Sequence, residues 1–175
     1  LQSAWSDKEV GAVILTGAGN RAFTIGGTPA EVAEDAAPVE KLPMVSLFAQ
    51  LLTTVRNIPK PVIAAVNGYA IGGGHVLQVV CDLTIASSTA KFGQVGPKVG
   101  TFDAGYGSAY LARIVGEKKA REMWYLCRKY SADDCPKMGL VNAVVEPDKL
   151  LEKTDTWVDA IVTTTPTPLA PLTPP

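Results

Sequence analysis

Apolar residues fall into two kinds of run, short continuous ones and longer periodic ones, and the two alternate along the chain. Residues 10–16, Val-Gly-Ala-Val-Ile-Leu-Thr, are nearly all apolar and partly β-branched, which predicts a strand buried on both faces. Residues 61–66 and 82–87 predict two more strands, 90–93 a further extended piece, and 138–145 a return to strand. Between them apolar positions recur at helical spacing. Leu47, Leu51, Leu52 and Val55 do so within 44–57, Val76, Leu77 and Val80 after three glycines, and Ala120, Met123, Trp124 and Cys127 on one face of 117–130. Residues 1–9 read as the tail of a helix, 108–115 as a helix stopped by Gly116, and 147–162 as one more amphipathic helix. Strand and helix alternate, so an α/β fold is expected, with helices crossing between roughly parallel strands.

Three stretches break the pattern. Residues 28–43 turn to Pro, Ala, Glu and Asp without an apolar period, as in a surface loop, a lid or a short acidic helix. Residues 94–107 hold glycines, a proline, an amide, hydroxyls and a carboxylate, too irregular for an element and too apolar for a free linker; loops of this kind line sites. Residues 163–175 are rich in Thr and Pro and are expected to be an extended or disordered tail on a core spanning 1–162.

The glycines add chemistry. Asn-Gly-Tyr-Ala-Ile-Gly-Gly-Gly-His at 67–75 places bare backbone immediately before a helix, where N–H groups and the positive end of the dipole can meet a negatively charged oxygen. Close packing of strand on helix explains the same glycines equally well. Ala-Phe-Thr-Ile-Gly-Gly at 22–27 is a second place of this kind, whereas Gly-Ala-Gly at 17–19 lacks the third glycine and the following helix of a dinucleotide site. His75, the single histidine, stands at a helix start, where the dipole depresses its pKa and a structural role is expected.

Composition narrows the classes. The 175 residues are 47% hydrophobic with a net charge of -1, enough for one globular core and without the basic surface that nucleic acid or an anionic membrane requires. The charges at 117–129 are mixed in sign and read as a solvated face. Cys81, Cys127 and Cys135 lack Cys-x-x-Cys spacing and read as buried thiols in a reducing compartment rather than a zinc site or disulfides. With no run of membrane-spanning length and no signal core, a cytoplasmic protein is expected.

Several motifs together resemble one family. The segment 22–27, Pro-Lys-Pro-Val-Ile-Ala-Ala-Val-Asn-Gly-Tyr-Ala-Ile-Gly-Gly-Gly at 59–74, Cys-Asp-Leu-Thr-Ile-Ala at 81–86, Phe-Gly-Gln at 92–94 and Met-Gly-Leu-Val at 138–141 are similar, in order and spacing, to the crotonase (enoyl-CoA hydratase/isomerase) superfamily. Within it, residues 93–128 resemble the 1,4-dihydroxy-2-naphthoyl-CoA synthases, and Leu-Pro-Met at 42–44 with 92–98 the 2-ketocyclohexanecarboxyl-CoA hydrolases. The resemblance implies an α/β crotonase-like (ββα)-repeat spiral core, here without the family's first strand and helix or its C-terminal helices. It further implies trimers paired into hexamers and an acyl-CoA thioester as substrate, with CoA part of that substrate and no metal or redox nucleotide.

By position in the resemblance, the N–H groups of Gly27 and Gly73 form an oxyanion hole for the thioester carbonyl. The two glutamates of ordinary hydratases are replaced by Val76 and Gly96, which argues against simple hydration. In synthases with glycine at the latter place a bicarbonate ion stands in for the carboxylate, contacted by residues matching Gln94, Thr101 and Trp124, and Asp103 matches the catalytic aspartate. Thr28 stands where these synthases usually have aspartate, and 29–43 lacks their loop tyrosine. Ring closure, ring cleavage by the reverse chemistry, and a catalytically idle binding or assembly subunit are the readings that follow.

Overall fold

In the computed structural model, which describes residues 1–26, 44–100 and 106–164, strand pairing separates two sheets. The first contains β1 (Val13–Thr16), β3 (Val62–Val66), β5 (Leu83–Ser87) and β8 (Ala143–Val145), in that spatial order and all parallel. The second contains β2 (Ala22–Thr24), β4 (Tyr69–Ile71) and β6 (Lys91–Gly93) in parallel, with β7 (Lys129–Ser131) antiparallel to β6. Each turn of the chain lays one strand in each sheet and then a helix. β1 and β2 precede α2 (Met44–Asn57), β3 and β4 precede α3 (Gly73–Val80), and β5 and β6 precede α4 (Tyr106–Val115) and α5 (Glu117–Leu126). This is a crotonase-like (ββα) spiral. A short α1 (Gln2–Ser6) opens the chain and α6 (Leu150–Thr164) is the last described element.

The period-2 alternation of strand side chains divides the core. Val62, Ala64 and Val66 of β3 face the main cluster, which also contains Val76, Val79 and Val80 of α3, Phe92, Leu111 and Met123. Ile63 and Ala65 face the other way and join Ile85 and Leu150 under Trp157, Val158 and Ile161 of α6. Covered on both faces, β3 is buried throughout, as its sequence predicts. β1 departs from that expectation: among the described residues it is an edge strand and only half-buried.

The turns between strands are held by Asn67, whose Nδ2 donates to Gly17 O (3.0 Å) and Gly19 O (2.7 Å) and whose Oδ1 accepts from Gly17 N–H (3.3 Å). β4 is a strand the hydrophobic pattern does not announce. It lies between the Asn67-Gly68 turn and the glycines, so the glycine run leaves β4 rather than β3. α2 has its expected bounds, but Leu47 is exposed while Leu52 and Val55 are buried. α5 ends at Leu126 instead of near residue 130. Cys127 takes a left-handed cap at φ 47°, its N–H donating to Met123 O (3.1 Å), and the chain turns to pair Tyr130 with Phe92. Tyr130 Oη donates to Glu122 Oε1 (2.6 Å), so the open side of β6 and this bond outweigh helix propensity.

Toward the C-terminus, Pro136–Met138 form a 3-10 turn closed by Gly139 at φ 76°, which shortens the strand expected at 138–145. α6 continues through Thr163 and Thr164, the first two residues of the expected tail. The rest of that tail and the loop expected at 28–43 lie outside the described residues. The three cysteines are buried, and the charges of α5 pair on its exposed face, Arg121 with Glu117 and Lys119 with Glu122. No helix among the described residues is long and apolar enough to cross a membrane.

Candidate functional site

α3 starts on bare backbone. Gly72 lies at φ 56°, which L side chains rarely adopt, and its carbonyl accepts the first hydrogen bond of the helix, from Val76 N–H (3.0 Å). The N–H groups of Gly73, Gly74 and His75 precede that ladder and remain as donors at the positive end of the dipole. Opposite them the chain leaves β2 through Ile25 and Gly26, the latter at φ 90°. A Cβ on Gly26 would lie 2.9 Å from Gly73 N, and one on Gly73 would lie 3.2 Å from Gly26 Cα and 3.3 Å from Phe48 Cζ. Any side chain at 26 or 73 would push the two segments apart. A Cβ on Gly74 would fall 1.8 Å from Thr24 O, so α3 lies flush on β2. The close-packing reading of the glycines holds, and the same packing fixes the position of the N–H groups.

A second set of contacts ties this helix start to the irregular loop. Gly72 N–H donates to Gly93 O (3.0 Å), fixing the end of β6 beside α3. The next residue, Gln94, is buried, with Nε2 3.0 Å from His75 Nδ1. His75 is fully enclosed, and the Phe92 ring meets it edge-on at 6.5 Å and 77°. Burial lowers the His75 pKa to about 4, so the imidazole is neutral at pH 7. The direction is the one expected from the sequence, but the cause is desolvation rather than the helix dipole. His75 Nε2 has no hydrogen-bond partner among the described residues.

Beyond Gln94, Gly96–Val99 form a 3-10 turn closed by Gly100 at φ 73°. α5 packs against this turn, and Trp124 is buried on its inner face. Gly73, Gln94, Gly96 and the helix carrying Trp124 thus converge on one region. Gly27 is the neighbour of Gly26 but, like Thr101 and Asp103, lies outside the described residues.

Residues 1–174 match the family model described as enoyl-CoA hydratase/isomerase. The chain belongs to this family. Among solved structures the family member described here is similar to an enoyl-CoA hydratase from Bacillus anthracis, with 33% identity and a TM-score of 0.82 over 93% of this chain and 62% of that one. It is also similar to an enoyl-CoA hydratase from Mycobacterium smegmatis, with 34% identity and a TM-score of 0.80 over 92% of this chain and 62% of that one. A monofunctional enoyl-CoA isomerase from M. smegmatis gives 31% identity and a TM-score of 0.76 over 92% and 67%. The chain therefore spans less than two thirds of the length of the two hydratases.

Three participants are not evident from the sequence of this enoyl-CoA hydratase/isomerase family member. Gly26 makes a close contact with Gly73, although the sequence shows only the Gly-Gly pair as a unit. Phe48 walls the site, whereas the helical period favours its neighbour Leu47. The His75–Gln94 pair joins residues 19 apart, and its one signal is a lone histidine directly after the glycines.

Proposed function

We propose that this chain forms the core of an acyl-CoA enzyme that stabilises a thioester enolate and uses it for carbon–carbon bond formation, in the manner of the 1,4-dihydroxy-2-naphthoyl-CoA synthases. The observation that carries the reading is the bare contact of Gly26 with Gly73, which brings the segment leading to Gly27 against the first donor of α3. In the proposed site the N–H groups of Gly27 and Gly73 receive the thioester oxygen. Removing the proton next to that carbonyl moves charge onto the oxygen, and each fixed donor stabilises the developing enolate by about 3 kcal/mol. Asp103 serves as the acid or base at the second carbonyl, where an intramolecular Claisen step closes the ring.

The similar proteins named as hydratases and isomerases raise the question of simple hydration. Two residues argue against it. Where the hydratase pattern has glutamates, Val76 is 1% exposed inside the main core cluster and Gly96 has no side chain, so neither position supplies a carboxylate for water addition. A bicarbonate ion beside Gly96, met by Gln94, Thr101 and Trp124, would supply the missing base. The burial of Gln94 and Trp124 beside the turn at Gly96 supports that role, since polar groups shielded from water hold an anion more strongly.

Incubating the full-length protein with o-succinylbenzoyl-CoA, with bicarbonate and in CO2-free buffer, tests the proposal. Formation of the naphthoyl product that depends on bicarbonate is the expected result. Hydration of a simple enoyl-CoA without ring closure would overturn it, and cleavage of 2-ketocyclohexanecarboxyl-CoA would place ring opening first. Unchanged turnover in Asp103→Asn would remove that residue from the mechanism.

A further inference from the structure

We infer that His75 is a positioning residue whose ring tautomer sets which face of the Gln94 carboxamide is offered to a bound anion. The inference rests on the reading of Gln94 as an anion contact and adds a residue that this reading does not use.

The geometry leaves the pair little freedom. The Gly72–Gly93 hydrogen bond holds the start of α3 against the end of β6, Gly74 seats the helix on β2, and Phe92 meets the imidazole edge-on. His75 and Gln94 are both enclosed, at 0% and 1% exposure, so water does not compete for their contact. A neutral imidazole can pair with a carboxamide in two ways. With Gln94 Nε2 toward His75 Nδ1, as observed at 3.0 Å, Nδ1 accepts and the ring proton sits on Nε2. With Gln94 Oε1 turned toward the ring, Nδ1 carries the proton and both amide N–H groups become available elsewhere.

An anion requires donors. Its binding to Gln94 therefore favours the second arrangement, in which the carboxamide presents its NH2 group to the anion and rests its oxygen on Nδ1–H. The change is a half-turn of the amide, with one proton leaving Nε2 for solvent and one arriving at Nδ1, so the ring stays neutral. The unpartnered Nε2 makes the exchange possible: no described group holds its proton, and losing that proton breaks no hydrogen bond. A carboxamide without this partner would sample both faces, and the anion would bind only the fraction with donors exposed.

Ring 15N labelling of histidine, with the His75 signals identified by their loss in His75→Phe, reports which ring nitrogen carries the proton. In CO2-free buffer at pH 7 the protonated nitrogen is expected to be Nε2, and saturating bicarbonate is expected to move the proton to Nδ1. In Gln94→Leu the bicarbonate-induced swap is expected to vanish. In His75→Phe the bicarbonate concentration for half-maximal turnover is expected to rise on the order of tenfold, with kcat at saturation retained. Ring signals that do not respond to bicarbonate overturn the inference, as does a swap that persists in Gln94→Leu. Turnover judges the functional reading separately. Bicarbonate-dependent ring closure with unresponsive ring signals would retain that reading and remove His75 from it, whereas a swap without ring closure would do the reverse.

Discussion

Mild acid should destabilise this protein through His75, because the imidazole takes up a proton readily only in the unfolded chain. In the unfolded state its pKa is the ordinary 6.5, and in the folded state burial lowers it to about 4. Between these values the unfolded chain binds more protons than the folded one, so stability rises with pH. The histidine's contribution is fully present above pH 6.5 and is lost as pH falls toward 4. The difference of about 2.5 units corresponds to roughly 3 kcal/mol once both states are titrated, and about 1 kcal/mol of it disappears between pH 7 and 5.5. The second range is the useful one, since ordinary carboxylates have not begun to titrate there. Asp82 contributes with the opposite sign, its carboxyl being raised by burial against the Val62 N–H hydrogen bond and the Arg56 charge. A variant retaining Asp82 cancels it. Urea midpoints measured from pH 7 to 5.5 should fall in the wild type with a slope approaching one proton and stay nearly level in His75→Gln. Parallel loss in both proteins would show that the enclosed imidazole is not the group responsible.

Two further substitutions probe the scaffold that holds the donors. Gly74→Ala puts a methyl 1.8 Å from the Thr24 carbonyl, a backbone atom that cannot rotate away, and should cost more than about 3 kcal/mol in chemical denaturation. Gly19→Ala, at φ 71° with nothing within 4 Å, should cost only about 1 kcal/mol, the strain of the left-handed backbone alone. Asn67→Asp should be more destabilising than Asn67→Ala at pH 7, because a carboxylate would face the Gly17 and Gly19 carbonyls that the amide now serves, and the two variants should converge as pH falls below the range where aspartate ionises.

The legible parts of the fold are those where one period dominates. Residues 62–66 have a covering layer on both faces and read as continuous apolar sequence, and 44–57 form one helix that ends just before Pro59. The three-residue strands are harder, since β4 and β7 are too short to show alternation and exist because β6 offers both its sides to be paired. That competition explains why the periodic stripe through Cys127 does not carry α5 to residue 130. In the site, the glycines were legible because only bare backbone permits the contacts at 26, 73 and 74. The His75–Gln94 contact was not, because it depends on the register between α3 and β6, which the Gly72–Gly93 hydrogen bond sets and no local pattern encodes.

The same contrast explains why, in the proposed reading, the enolate rests on more of the fold than the choice of reaction does. Donors made of backbone are fixed by contacts between glycines, so any sequence that keeps those glycines keeps the donors. Bases are side chains and can change one at a time. The two positions at issue here are not equivalent. Val76 packs in the main cluster with Val79, Val80 and Phe92, and a carboxylate there would be buried without a partner, at a cost of several kcal/mol. Gly96 is half-buried and opens a 3-10 turn whose remaining residues are exposed, so a polar group there stays in reach of water. In the proposed reading the core has therefore absorbed one hydratase position, while the other remains the place where a base can be borrowed from a small anion. In that reading the identity of the base, and not the oxyanion hole, determines which bond the enolate forms.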